Sequence, residues 1–196
     1  MSSRALVPRL AIQIIEGALL RLLLLRHAKS DWSGSLGDHD RPLAARGRKA
    51  APRMGAVMRK KGYVPALVLC STAERTKETL ELLLPALRAD PKIQYDRALY
   101  LAEWPVLLAI LQGAAADTPL LMIGHNPGLE QLASALAVQP QDAAERARLQ
   151  KLARKFPTGA LAVFDIDVPH WGAVKPATGK LRDFIRPRDI GGAAGE

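Results

Sequence analysis

A single cysteine, Cys70, leaves no partner for an intramolecular disulfide and too few thiols for a zinc knuckle or a C-x-x-C redox pair. Aromatic residues are scarce at 5%, which with frequent Ala and Leu implies an aliphatic core. No apolar run is long enough to cross a membrane: Glu16 and Arg21 interrupt Leu10 to Leu25, whereas a spanning helix needs about 20 apolar residues. The most apolar segment, Leu22 to Leu25, runs into Arg26-His27 instead of a small-residue cleavage site, so no export signal is read. The 14 Pro and 15 Gly are too few and too scattered for a low-complexity chain. These absences predict a folded cytoplasmic protein that does not enter a membrane.

What is present is a basic chain of 196 residues with a net charge of +9. Its length suits one compact domain over residues 21–190, with an N-terminal extension of unassigned role over 1–20 and a flexible tail over 191–196. The excess charge fits a nucleic acid, a polyanionic surface or a phosphorylated substrate. The cations are dispersed through Arg46 to Lys49, Arg59 to Lys61, Arg146 to Lys155 and Arg182 to Arg188, as solvated helix faces would place them.

Three short aliphatic runs, Arg21 to Arg26, Ala66 to Cys70 and Pro119 to Gly124, read as buried strands. Helical patterns follow over Ala44 to Lys61, Glu74 to Leu87, Pro105 to Gly113 and Gly128 to Ala137. Pro52 predicts a separate turn ending near Arg48 or a kink in the first of these. Gln139 to Lys155 reads as a helical surface cover, and Gly159 to Asp165 with Lys180 to Arg186 as a two-strand extension of the sheet. The alternation predicts an α/β fold of three layers, α/β/α, around a mainly parallel sheet.

Ligands of open α/β sheets bind beyond the carboxyl ends of strands. Here those ends carry Arg26-His27-Ala28-Lys29-Ser30, Ser71-Thr72-Ala73-Glu74-Arg75 and Gly124-His125-Asn126-Pro127-Gly128. Two histidines among cations suit phosphoryl transfer, in which a neutral imidazole attacks phosphorus while guanidinium groups hold the oxygens. Arginine stays charged and presents a planar fork of donors to phosphate.

Arg26-His27-Ala28 at the end of the first strand resembles the signature of the histidine phosphatase superfamily, the phosphoglycerate-mutase-like proteins. Arg26 to Trp32, Asp40 to Leu43 with Arg46-Gly47, Ser71 to Thr79 and Gly124 to Gly128 are similar to the small bacterial phosphohistidine phosphatases within it. The resemblance implies a phosphoglycerate-mutase-like fold, His27 as a nucleophile that becomes phosphorylated, and Arg26, Arg75 and His125 around the phosphoryl group. Arg41 matches a position lining the pocket of the small phosphohistidine branch, and Lys29 and Ser30 are added as substrate-binding candidates. Thr72 departs from the Pro that often follows the serine. No carboxylate of the kind that protonates an alcohol leaving group is found, which favours a labile P–N bond over a sugar phosphate. The resemblance implies neither a cofactor nor a metal, and makes a phosphohistidine-bearing protein or another phosphorylated molecule the partner, not nucleic acid.

Competing readings stand beside these. The rivals for the whole chain are a small-molecule phosphomonoesterase with the same nucleophile, and a binding module for phospho-ligands or nucleic acid without turnover. Among single residues, Arg75 is placed to pair with Glu78 or Glu81, and Arg41 with Asp38 or Asp40. His39 reads as part of a solvated loop, Glu103 as a helix start, and Cys70 and His170 as structural.

Overall fold

The computed structural model describes residues 19–190, so the expected extension, apart from Leu19 and Leu20, and the expected tail lie outside the described residues. Its centre is a six-stranded sheet in the order β3-β2-β4-β1-β5-β6. The strands are β1 (Leu20–Arg26), β2 (Leu67–Ser71), β3 (Lys92–Asp96), β4 (Leu120–Gly124), β5 (Leu161–Ile166) and β6 (Gly179–Ile185). β1, β2, β3 and β4 pair in parallel, β5 runs antiparallel to β1, and β6 runs antiparallel to β5. Five strands therefore point one way and β5 alone is reversed.

The leucine run of β1 is explained by cover on both faces. Leu22 and Leu24 join one apolar cluster and Leu23 and Leu25 the other, as the two-residue alternation of a strand requires. Helices α1 (Ala45–Lys60) and α2 (Glu74–Leu87) close one side with Met54, Met58, Leu80 and Leu83. Helices α3 (Trp104–Gln112), α4 (Gly128–Leu136) and α5 (Ala143–Arg154) close the other with Leu107, Leu111, Leu132 and Leu152. Each such leucine contributes about 1.5–3 kcal/mol by leaving water. The outcome is the three-layer α/β/α arrangement.

Several boundaries differ from the sequence reading. β1 begins at Leu20, one residue inside the expected extension. Pro52 lies within one continuous helix and no separate turn ends near Arg48. β3 was not anticipated: Lys-Ile-Gln-Tyr-Asp is an edge strand whose residues are largely exposed, so it lacks the apolar run that marks the buried strands. The cover helix α5 starts at Ala143, where the Asp142 side chain accepts from the Glu145 N–H at 2.7 Å as an N-cap.

Candidate active site

Register places the two histidines side by side. Arg26 of β1 pairs with Gly124 of β4, so His27 and His125 are the next residues beyond two adjacent parallel strands. The His27 N–H bonds the Gly124 carbonyl at 3.2 Å, and the imidazole centres lie 5.2 Å apart. The loop after β1 is held by α2, whose Thr79 hydroxyl accepts from the Ala28 N–H at 3.0 Å. The residue that precedes α1 holds it as well, with the Ala44 N–H on the Lys29 carbonyl at 2.9 Å. Gly47 permits that contact, since a Cβ there would sit 2.2 Å from the Lys29 carbonyl oxygen. Gly128 plays the same part beneath His125, where a Cβ would meet the Ala102 carbonyl oxygen at 1.9 Å.

These elements enclose a cavity of about 250 Å³ to which all seven sequence-predicted residues contribute: Arg26, His27, Lys29, Ser30, Arg41, Arg75 and His125. Ring hydrogen bonds define what the imidazoles present. His27 Nδ1 is 2.7 Å from the Ala28 carbonyl oxygen, which only accepts, so Nδ1 carries the proton and Nε2 keeps its lone pair. His125 Nε2 lies 2.8 Å from the Ser71 hydroxyl. With that hydroxyl donating, the His125 proton sits on Nδ1. Burial, reinforced by Arg75, Arg26 and Arg41, pushes His27 down to about 3 against the partial opposition of the Ala28 carbonyl. His125 is also pushed down to about 3, by burial first and then by His27 and Arg75. Both rings are neutral near pH 7, which an attacking nitrogen requires.

Among the described residues, the buried side-chain polar atoms without a partner are Arg26 Nε, Arg75 Nε, His125 Nδ1 and Asn126 Oδ1, and all belong to residues lining this cavity. A buried, unpaired polar group is costly. Three of the four belong to Arg26, Arg75 and His125, which line the cavity with the His27 Nε2 lone pair, a charge pattern suited to a small tetrahedral anion. Arg26 is braced by Nη1 donating to the Phe156 carbonyl at 2.8 Å. Arg75 is only 2% exposed and pairs with Asp38 instead of the expected Glu78 or Glu81; Glu78 pairs with Arg48 at 2.6 Å.

Asp38, which the sequence offers as a partner for Arg41 but not as a site residue, organises the arginines. Its carboxylate accepts from Arg41 Nε at 3.1 Å and Nη2 at 2.5 Å, from Arg75 Nη2 at 3.1 Å and from the Tyr100 hydroxyl at 2.5 Å. The Tyr100 hydrogen bond, followed by those cations, holds its carboxyl down at about 2. Arg41 both lines the cavity and holds the loop, with Nη1 directed to Ser30 Oγ at 3.4 Å and the Asp31 carbonyl at 3.3 Å. The only signal for Asp38 in the sequence is its place just before Arg41-Pro42-Leu43. Asn126, Thr158, Trp32 and Leu101 also line the cavity and were not nominated.

His39 lies in a short 3-10 turn between two exposed aspartates. Its side chain is 26% exposed, with Nε2 3.0 Å from the Thr72 hydroxyl and Nδ1 3.1 Å from Asp40. Thr72, the departure from the family pattern, thereby tethers the Asp38–Asp40 turn to the end of β2. Glu103 is the N-cap residue of α3 and does not line the cavity. Cys70 is buried, and burial pushes its thiol up to about 12. His170 is exposed, ahead of a short 3-10 turn. Among the described residues, no group of three His, Cys, Asp or Glu side chains is placed to hold a metal ion, and no helix is long and apolar enough to cross a membrane.

Comparison with known proteins agrees with this geometry. The profile of the histidine phosphatase superfamily (branch 1) matches residues 22–106. The uncharacterized protein Rv1276c of Mycobacterium tuberculosis is 38% identical over 168 residues, covering 84% of this chain and all of that one. A crystal structure from Agrobacterium tumefaciens, named as a proposed phosphohistidine phosphatase SixA, superposes with a TM-score of 0.71 at 28% identity, covering 86% of this chain and 98% of the other. A similarly named structure from Nakamurella multipartitia gives a TM-score of 0.73 at 27% identity, covering 88% and 98%. The chain belongs to the histidine phosphatase superfamily, and its sheet and helices have the phosphoglycerate-mutase-like arrangement of that group.

Proposed function

We propose that this protein is a metal-independent phosphatase that removes the phosphoryl group from phosphohistidine on proteins, with residues 21–190 forming one cytoplasmic catalytic domain. The observation that carries this reading is the free Nε2 of neutral His27 in one cavity with the side chains of Arg26, Arg75 and His125. The names of the two SixA structures support the choice of substrate, as does the absence of a carboxylate acid among the lining residues other than Asp38, which is held ionised.

In the first step the His27 Nε2 lone pair forms a bond to phosphorus while the substrate's P–N bond breaks. The leaving imidazole departs neutral when its other nitrogen already bears a proton, so no enzyme acid is needed. The phosphorylated His27 ring gains positive charge, and its Nδ1–H to the Ala28 carbonyl stabilises that charge. Water then attacks phosphorus as the P–Nε2 bond breaks; both of its protons leave on inorganic phosphate as H2PO4−, and Nε2 recovers its lone pair. Arg26, Arg75 and the His125 Nδ1–H stabilise the equatorial oxygens in both steps. Arg41, Lys29 and Ser30 line the approach.

The test compares kcat/KM of the purified full chain on a phosphohistidine peptide and on a sugar phosphate. The reading predicts a clear preference for the peptide. Equal or greater activity on the sugar phosphate makes the protein a small-molecule phosphomonoesterase, and phosphate binding without turnover makes it a binding module.

A further inference from the structure

The cavity is lined by cations, and it also carries exposed apolar side chains. Of the large apolar side chains that line it, Trp32 is 69% exposed and Leu101 is 48% exposed. A single exposed apolar residue needs no explanation, yet both of these are held in place. The Arg41 guanidinium carbon lies 3.4 Å from the Trp32 ring centre, so one face of the indole is stacked and the other is left to solvent. Arg41 is itself fixed by Asp38, Ser30 and Asp31. The main chain beside Trp32 is pinned by the Asp31 N–H on the Pro42 carbonyl at 2.9 Å and by the Ser33 N–H on Asp31 Oδ1 at 2.9 Å. Leu101 has φ of 51°, the left-handed region a leucine rarely occupies, and such residues gather where function requires a fixed conformation.

In-line displacement puts the leaving group opposite the attacking nitrogen. His27 is 7% exposed, at the buried end of the cavity, so the leaving group lies toward the mouth, beside Trp32 and Leu101. The open indole face offers stacking to a flat ring, whereas the single indole N–H is the one hydrogen bond these two side chains offer to a hydroxylated sugar. Resting on the phosphohistidine reading above, we propose that Trp32 and Leu101 are specificity-determining residues forming a platform that receives the leaving group as a flat aromatic ring, the imidazole of a histidine side chain, in preference to a hydroxylated sugar.

Steady-state kinetics of the full chain, wild type and the variants Trp32→Ala, Trp32→Phe and Leu101→Ala, test this on a phosphohistidine peptide, p-nitrophenyl phosphate and glucose 6-phosphate. Inhibition by inorganic phosphate supplies a reference without a leaving group. Trp32→Ala is expected to lower the preference for either ring-bearing substrate over the sugar by about tenfold. Trp32→Phe should restore most of that preference, Leu101→Ala should lower it by about threefold, and the inhibition constant of phosphate should stay within about twofold. Equal losses on all three substrates with weaker phosphate inhibition would mean that Trp32 merely supports Arg41, and would overturn the proposal. An unchanged preference would overturn it as well. A wild-type enzyme active on p-nitrophenyl phosphate but not on the peptide defeats the substrate reading alone, and the Ala and Phe variants on the aryl substrate then still decide whether the platform exists.

Discussion

Arg75 and Asp38 represent two ways in which one side chain serves this site. Arg75 has a buried Nε without a partner, and its Nη groups are spent on Asp38. Arg75→Ala is expected to reduce kcat/KM by about 10²–10³, the scale of losing a preorganised donor to an oxyanion. Arg75→Lys should recover only part, because an ammonium lacks the fork. Asp38→Asn keeps the shape but removes the charge shared by Arg41 and Arg75, so a loss of about tenfold, mainly in kcat, is expected from looser arginines. Steady-state assays of the three variants check both statements. The pH profile is a further test at this scale. Protonation of the His27 ring, displaced from 6.5 to about 3, destroys the nucleophile. After correction for the substrate's own ionisation, kcat/KM should stay flat from pH 7 down to about 4, and an enzyme limb near 6.5 would contradict a buried neutral imidazole. His27, Arg26, Arg75 and His125 could be placed near strand ends from the aliphatic runs before them, and their roles came from the resemblance to the histidine phosphatases. Asp38 was legible only as a partner for nearby Arg41, because its contact with Arg75 depends on a turn carrying it across to a different segment.

Elements place these groups by close approach. Both loops bearing the histidines lean on glycines, Gly47 at the start of α1 and Gly128 at the start of α4, where a Cβ would collide with a main-chain carbonyl. Gly47→Ala and Gly128→Ala therefore face backbone, not a yielding side chain, and each is expected to cost about 1–3 kcal/mol of stability. Activity should fall along with stability, since relief of the clash moves the His27 loop or the His125 loop. Urea unfolding measured beside kcat/KM checks this, and a fully stable, fully active Gly47→Ala protein would show that the contact is dispensable. The buried strands were readable from their aliphatic runs, and α2 from its helical periodicity. β3 was not readable, since an edge strand with polar, exposed side chains carries little hydrophobic signal. Pro52 misled in the other direction, because packing of α1 against α2 outweighs the local preference for a break.

For the whole molecule, the two buried neutral histidines couple stability to acidity. Their folded values near 3 lie below the ordinary 6.5, so below 6.5 the unfolded chain takes up protons that the native fold refuses. Stability is fully present above 6.5 and declines as pH falls toward 3. Urea unfolding at pH 7, 6 and 5, above the range where most carboxylates titrate, should show this decline, with a shallower slope in His27→Asn. The three-layer fold could be anticipated because alternation of strand and helix dictates it, whereas the stacking of Arg41 on Trp32 depends on contacts that sequence spacing does not encode. All of the chemistry rests on Nε2 of His27 meeting phosphorus. The most direct measurement is rapid acid-free quenching of the full chain during turnover, followed by mapping of covalent phosphate. The account predicts acid-labile, alkali-stable phosphate on His27, absent from His27→Ala, whereas turnover with no phosphate on that residue, or with undiminished activity in His27→Ala, would contradict it.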